Sequence, residues 1–452
     1  MNNSQLINNE LKMLSNDKNI IGAKLVIGNE LIEAGISIID GKIHKIAKKN
    51  NLPKTDTVIN AKGLIIIPGL IDVHVHLRDM QLSYKEDFFT GTCASASGGF
   101  TTILDMPNTI PPTITCENLK RKINSAKKKT IVNLGFHAML TDKIFELSGM
   151  ARMGAFSFKL YLNGDQNSFE INDDKLLYEL MQECEKMKVP LTIHAETPFR
   201  EKRSLNGSLE DLADLHNKEL EINAVKRIIT LAKKSKVQIH ICHVSTFEAL
   251  ALIEKAKKDG SNISCEATPH HLLLSNESFN ELGSLVLTDP PIRDRVNAKE
   301  LWNAMINGKI DIVASDHAPH TLKEKLSSNI CDIPSGIPGL ETTVPLLLTK
   351  VNSGRLTLSR LVEVLAEKPS KIFQMSNKGR LKEGMDADLT LIDLKAENVI
   401  NSKNLYTKSE YSPFEGFKCK GKVSKVILAG EVIVDSGEVI ANSGSGEIIR
   451  RG

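Results

Sequence analysis

The sequence predicts an α/β protein: a closed (β/α)8 TIM-like barrel with a small β-sandwich built from both termini. Three observations carry this expectation. Eight short apolar runs recur through the middle of the 452-residue chain, at 70–77, 101–106, 131–139, 156–162, 191–195, 237–244, 263–268 and 310–315. Helical periodicity fills most of the gaps between them, as at 174–188, 219–233 and 246–258. Both ends of the chain carry β-pattern and the middle does not. Strands that are apolar nearly throughout and alternate with helices indicate a buried parallel sheet. Eight such units over roughly 300 residues suit a closed barrel. An open doubly wound sheet is the alternative, but it brings a glycine-rich turn after an early strand. Here Gly98-Gly99 precedes a strand instead.

The terminal elements are expected at 24–27, 31–39 and 42–47, then at 387–393, 423–428 and 431–434. Asp40-Gly41 is a strong hairpin signal, because both central positions of a tight β-turn tolerate positive φ. Ala429-Gly430 punctuates the last two strands in the same way. The chain therefore divides into a polar leader (1–20), the N-terminal part of the sandwich (21–67), the barrel (68–376) and the C-terminal part of the sandwich (377–452).

Composition narrows the class. Hydrophobic residues make up 41% and charged residues 25%, with a net charge of +3. So mild an imbalance gives no footing for nucleic acid or a membrane surface, and a small-molecule substrate is expected. The seven cysteines are dispersed without a CxxC pair, unlike a disulfide framework. The leader lacks an apolar signal core and no uncharged apolar run reaches membrane-spanning length, so a cytoplasmic protein is expected.

Polar residues gather where the barrel strands end, the face on which such barrels place their active sites. The first strand ends in Asp72-Val73-His74-Val75-His76-Leu77-Arg78. His74 and His76 are two apart and point the same way on a strand. Paired neutral imidazoles make half of a zinc site. Alone, the pair reads equally well as two histidines on one strand face. The fourth strand carries Lys159 inside Phe156-Ser157-Phe158-Lys159-Leu160-Tyr161. A lysine there can snorkel to the rim or pair with an acid. The sharper reading is a buried amine, kept neutral by burial and nearby cations, that captures CO2 as a metal-bridging carbamate. The fifth strand ends in His194, the sixth in His243 and the eighth in Asp316. Each has a plain alternative: a satisfied core histidine, or an aspartate capping a loop. His240, earlier on the sixth strand, is expected in the core, and His137, His270 and His271 in structural roles. Coincidence changes the odds, because four histidines, one lysine and one aspartate fall at matching ends of five strands.

The order HxH, Lys, His, His, Asp, preceded by Ile67-Pro68-Gly69-Leu70-Ile71-Asp72, resembles the amidohydrolase superfamily and, more narrowly, the dihydroorotases. The resemblance runs from about the first hairpin to the C-terminal sandwich. His76-Leu77-Arg78, Met106-Pro107-Asn108-Thr109, Asp316-His317-Ala318-Pro319-His320 and Pro334-Ser335-Gly336-Ile337-Pro338-Gly339 narrow it further. It implies two divalent metal ions, zinc being well suited to the site. His74, His76 and Asp316 hold one, His194 and His243 the other, and a CO2-derived carbamate on Lys159 bridges them. It implies that Asp316 also moves the proton. Arg78, Asn108 and His320 grip a substrate carboxylate, and the backbone of Ser335 and Gly336 touches the substrate ring. The implied activity is reversible cyclisation of N-carbamoyl-L-aspartate to L-dihydroorotate in pyrimidine biosynthesis. A homodimer and an association with aspartate carbamoyltransferase are the implied assemblies.

Two positions depart from the pattern. Met80-Gln81 stands where many dihydroorotases have Pro-Gly, so that loop is expected to differ in shape. Asp289 stands where many bacterial relatives have Asn. A carboxylate beside an anionic substrate is unfavourable, so Asp289 is expected to stay out of contact with it. Residues 162–165, Leu162-Asn163-Gly164-Asp165, are a candidate lid. The rival readings are a hydantoinase, dihydropyrimidinase or allantoinase, and a non-catalytic homologue serving as a structural partner. The last usually loses ligands, and here all six positions are filled.

Overall fold

The structure, a computed structural model, describes residues 17–164, 168–198, 209 and 215–451. Most of the leader and Asp165 of the candidate lid lie outside the described residues.

The middle of the chain forms a barrel of parallel strands. β8 (Leu70–Val75), β9 (Phe100–Asp105) and β10 (Asn133–Phe136) form one run. β11 (Ala138–Met139), β12 (Phe158–Tyr161), β13 (Leu191–His194), β14 (Ile239–Ile241), β15 (Ile263–Ala267) and β16 (Ile312–Val313) form the other. The single strand expected at 131–139 is split at His137. Its amide donates to Asp105 O at 3.0 Å while Ala138 N donates to Ser157 O at 3.0 Å. The chain thus passes from pairing with β9 to pairing with β12 and joins the two runs. The ring closes where Val75 pairs in parallel with His317 and His76 N donates to His317 O at 2.8 Å. Ile71, Val73, Leu104, Phe156, Ile312 and Ala314, each nearly inaccessible, form a cluster with Phe373. Burying a Val, Leu, Ile or Phe side chain stabilises the fold by about 1.5–3 kcal/mol.

Sharp exits from the strands leave polar residues at their C-terminal ends. Thr246 and Thr268 accept from the amides of Ala249 and His271 and start the helices Phe247–Lys258 and Pro269–Leu273. Backbone strain marks the same rim. Arg78, His243 and Asp316 have φ of 59°, 32° and 47°, left-handed values that a non-glycine residue adopts only where its surroundings impose them.

Both termini build one sandwich. Four strands, β1 (Lys18–Ile21), β4 (Gly35–Ile39), β5 (Lys42–Ala47) and β6 (Thr57–Asn60), make one sheet. The other is seven-stranded: β20 (Glu438–Val439), β19 (Glu431–Asp435), β18 (Lys418–Leu428), β17 (Leu389–Val399), β7 (Ile65–Pro68), β2 (Lys24–Ile27) and β3 (Glu30–Glu33). β7 lies antiparallel to β17, with Pro68 opposite Leu389, and this pairing stitches the two ends of the chain together. Ile20, Leu25, Ile36, Ile38, Ile66, Leu389, Leu391 and Ile427 meet between the sheets.

The stretch expected as one strand at 31–39 is two strands in different sheets. The chain crosses at Ala34-Gly35, where a Cβ on Gly35 would sit 2.6 Å from Ile20 O. Asp40 and Gly41 have φ of 49° and 72°, the geometry expected of the hairpin. The first strand begins at Lys18, ahead of residue 21. The tail leaves the sandwich and runs beside β10, Leu134 N donating to Glu447 O at 2.8 Å and Ile449 N to Leu134 O at 3.0 Å. Among the described residues, no helix is long and apolar enough to cross a membrane.

Candidate active site

A cavity of about 270 Å3 opens at the C-terminal end of the barrel. Every residue singled out from the sequence lines it: His74, His76, Lys159, His194, His243 and Asp316, with Arg78, Asn108, His320, Ser335 and Gly336. These positions span more than half the chain. Tyr161, Asn163, Asp289 and Ala318 join them.

The donor set on one side is arranged for a cation. His74 Nδ1 donates to the buried Glu266 carboxylate, and His76 Nδ1 donates to Asn108 Oδ1 at 2.7 Å. Each ring then turns its Nε2 toward the cavity. Those nitrogens face Asp316 Oδ1 at 3.3 Å and 3.1 Å. Two ring nitrogens and a carboxylate oxygen thus converge on one point, a donor set that suits a divalent cation. Burial opposes a proton on His74, but Glu266 outweighs it, with help from Asp316, and raises its pKa to about 10. Burial lowers that of His76 to about 4. Burial pushes the Asp316 carboxyl up, yet His74 and His76 prevail and hold it well below the usual carboxylate range.

A second pair repeats the logic. His194 Nδ1 lies 3.1 Å from His243 Nε2. The far nitrogen of His194 faces Glu196 Oε2 and Asp289 Oδ1 at 3.5 Å and 3.6 Å. Burial, then the neighbouring His194 and Lys159, drive the His243 pKa far below the ordinary histidine range. The two imidazoles thus bring together a second pair of ring nitrogens. Lys159 is 1% exposed, so it does not snorkel, and no carboxylate pairs with it among the described residues. Its Nζ donates to Cys242 Sγ at 3.1 Å. The residues present therefore fit two divalent cations, and an unpaired buried amine between the two ligand pairs fits a carbamate bridge.

The other side of the cavity is cationic. Arg78 is 8% exposed and donates from Nε to Pro319 O at 3.2 Å. No carboxylate pairs with it among the described residues. Its Nη2 lies 3.1 Å from His320 Nε2. His320 accepts from Lys85 at Nδ1 (3.0 Å) and donates from Nε2 to Ser335 O (3.0 Å), so its ring is neutral. Burial first, then Arg78, Lys85 and Lys325, keep it so. The Arg78 loop is a tight turn in which Asp79 and Met80 also have positive φ, 46° and 50°. Asp79 holds it by accepting from Met80 N at 2.6 Å and Phe88 N at 2.9 Å and by pairing with Lys129 at 2.7 Å.

Asp289 lines the cavity beside His194. Burial raises its pKa, against the opposing pull of His194 and His216. The sequence left Glu266 unassigned, although an acid inside the apolar run Ile263–Ala267 is a signal that burial requires a partner. Glu266 bonds His74, His240 Nε2 (2.9 Å) and the His243 amide (3.3 Å). His240 is a core residue, its Nδ1 bonded to Ser264 Oγ at 2.8 Å. His137 bonds Val73 O and Ser157 Oγ, and His271 bonds Thr268 Oγ1 and Pro290 O, all structural contacts.

Residues 65–433 match the amidohydrolase family. The chain belongs to that family. Within it, the chain is 38% identical to the dihydroorotase of Methanothermobacter thermautotrophicus over 91% of its own length and 94% of that protein. It is 40% identical to the dihydroorotase of Methanosphaera stadtmanae, over 89% and 94%. Similar solved structures carry other names. The L-hydantoinase (dihydropyrimidinase) of Arthrobacter aurescens superposes with a TM-score of 0.92 at 30% identity, over 96% of this chain and 100% of that one. The dihydropyrimidinase of Brevibacillus agri gives 0.90 at 28%, over 96% and 98%. The barrel and sandwich are thus common ground, and the branch must be read from the cavity.

Proposed function

We propose that this chain interconverts L-dihydroorotate and N-carbamoyl-L-aspartate, the ring-closing step of pyrimidine synthesis. One observation carries the choice of substrate: Arg78 is a buried guanidinium without a carboxylate partner among the described residues, lining a cavity whose other side is a cation site. Burying an unpaired charge is costly, so such a group is retained for an anion that arrives with the ligand. Dihydroorotate brings a carboxylate, whereas hydantoin and dihydrouracil do not.

Two divalent ions, zinc suiting the imidazole-rich set, would supply hydroxide near neutral pH and polarise the ring carbonyl. His74, His76 and Asp316 would hold one ion, His194 and His243 the other, and carboxylated Lys159 both. Arg78 pairs bidentately with the substrate carboxylate. Asn108 spends its Oδ1 on His76, which leaves its amide N–H groups as donors, and neutral His320 orients beside Arg78. The backbone at Ser335 and Gly336 borders the ring. In hydrolysis water adds to the ring carbonyl, the C–N bond breaks, and Asp316 carries a proton from the attacking oxygen to the departing nitrogen. Ring closure reverses each step.

Seven free thiols suit a reducing cytoplasm. The reading extends to a homodimer that associates with aspartate carbamoyltransferase, and sedimentation of the chain alone and with that enzyme checks both. The activity is tested by offering dihydroorotate, hydantoin, dihydrouracil and allantoin to the zinc-loaded protein. Dihydroorotate should give the highest kcat/KM, and a preference for any of the others would overturn the assignment.

A further inference from the structure

Lys325 takes no part in the chemistry above, yet it is fully buried. Its Nζ donates to three carbonyls, Leu287 O (3.0 Å), Pro334 O (3.0 Å) and Gly336 O (3.1 Å). An ammonium has three donors, and all are used. Among the described residues no carboxylate pairs with it, and burial lowers its pKa to about 7. A cation held only by carbonyl dipoles is costly, and here every dipole belongs to backbone at or leading into the cavity wall.

Gly336 is the focus. It has φ +133°, and a Cβ there would lie 2.6 Å from Ala318 O and 3.1 Å from His320 Nε2. Its backbone is therefore pressed against the loop that carries His320. Its amide donates to Leu287 O at 2.9 Å, and its carbonyl accepts a second bond, from Tyr411 Oη at 3.1 Å. Tyr411 is 4% exposed and lies on the segment joining β17 to β18, in the C-terminal part of the chain. That segment also reaches the neighbouring loops. Ser409 Oγ donates to His320 O at 3.1 Å, and Lys408 Nζ to Ser83 O at 2.7 Å and Asp87 Oδ2 at 2.6 Å. It straps together the loops after the first and eighth barrel strands.

We propose that Lys325 and Tyr411 are positioning residues for the substrate-carboxylate end of the cavity, acting through the Gly336 carbonyl that both hold. The inference rests on the reading of the cavity as a dihydroorotate site. A clamp of Arg78, His320 and adjacent backbone discriminates only while its parts stay within about half an ångström of the productive geometry. Neither residue touches the metal ligands, so the effect should fall on substrate affinity.

The test measures KM, kcat and zinc per chain for the full chain carrying Lys325→Met, Tyr411→Phe or both, with L-dihydroorotate. Losing one donor to a buried carbonyl should raise KM about threefold in Tyr411→Phe, and losing three donors should raise it about tenfold in Lys325→Met. The kcat should change less than either KM and zinc content should match the parent. Because both bonds end on one oxygen, the double variant should fall short of the product of the single effects. A merely structural role would lower melting temperature and active fraction, and hence apparent kcat, with KM unmoved. An unchanged KM in a folded, zinc-loaded variant overturns the proposal. If Lys325→Met does not fold, Tyr411→Phe, which removes only a hydroxyl, decides alone. A parent enzyme inert toward dihydroorotate would instead sink the functional reading itself.

Discussion

Replacing Arg78 with methionine should cripple substrate capture while sparing the metal site. Methionine keeps much of the apolar stem that packs in the wall and deletes the charged fork. Arg78 spends its Nε on Pro319 O, so what the substrate loses is a charge-assisted pair with the remaining guanidinium nitrogens. Truncating one partner of a buried hydrogen-bonded charge pair costs about 2–5 kcal/mol, and a middle value of about 3 kcal/mol corresponds to roughly a hundredfold in affinity. His320 and Asn108 keep their own partners, so the loss should stay near that figure. Steady-state kinetics with L-dihydroorotate, alongside zinc analysis, reads it directly. KM should rise about a hundredfold with two zinc ions retained. Dihydrouracil, the same ring without the carboxylate, should be turned over no worse than by the parent. An unchanged KM for dihydroorotate would refute the role of Arg78 and with it the choice of substrate.

Lys159→Ala should lose most activity and the paired metal, and short-chain carboxylic acids should restore part of both; full activity in that variant would remove the carbamate. Glu266→Gln leaves the His74 ring free to turn, and zinc affinity should fall about 10- to 100-fold in a competition with a chromogenic chelator, as for other carboxylates behind metal-bound histidines. Glu341 accepts from the amides of Tyr406 and Thr407, yet burial raises its pKa from 4.5 to about 7. The folded state therefore binds this proton more tightly than the unfolded chain, so its ionisation erodes stability as pH rises from about 4.5 to 7. Glu341→Gln removes that erosion, and its melting temperature should gain on the parent between pH 5 and pH 8; a constant difference would show that Glu341 does not titrate there.

Much of this was legible before any coordinates. Strands Leu70–Val75 and Leu191–His194 announce themselves as mainly apolar runs with a histidine at or next to their last residue, because a strand buried on both faces has little polar alternation to confuse the reading. Arg78 and Asn108 were legible through local motifs, His76-Leu77-Arg78 and Met106-Pro107-Asn108-Thr109. What escaped depends on which distant segments meet. Nothing near Lys325 in the sequence says that three carbonyls from Leu287, Pro334 and Gly336 converge on it, and Tyr411 comes from the far end of the chain. The crossing at Ala34-Gly35 is invisible to a period-two pattern that continues on both sides of it, since the close approach there is of Ile20 O and Leu52, residues distant in sequence.

The most direct test is a zinc titration of metal-free protein followed by L-dihydroorotate turnover at each point. The account predicts no turnover without metal and a rise that levels off at two zinc ions per chain. Turnover in the metal-free protein, or a fully loaded protein that leaves dihydroorotate untouched, would contradict it.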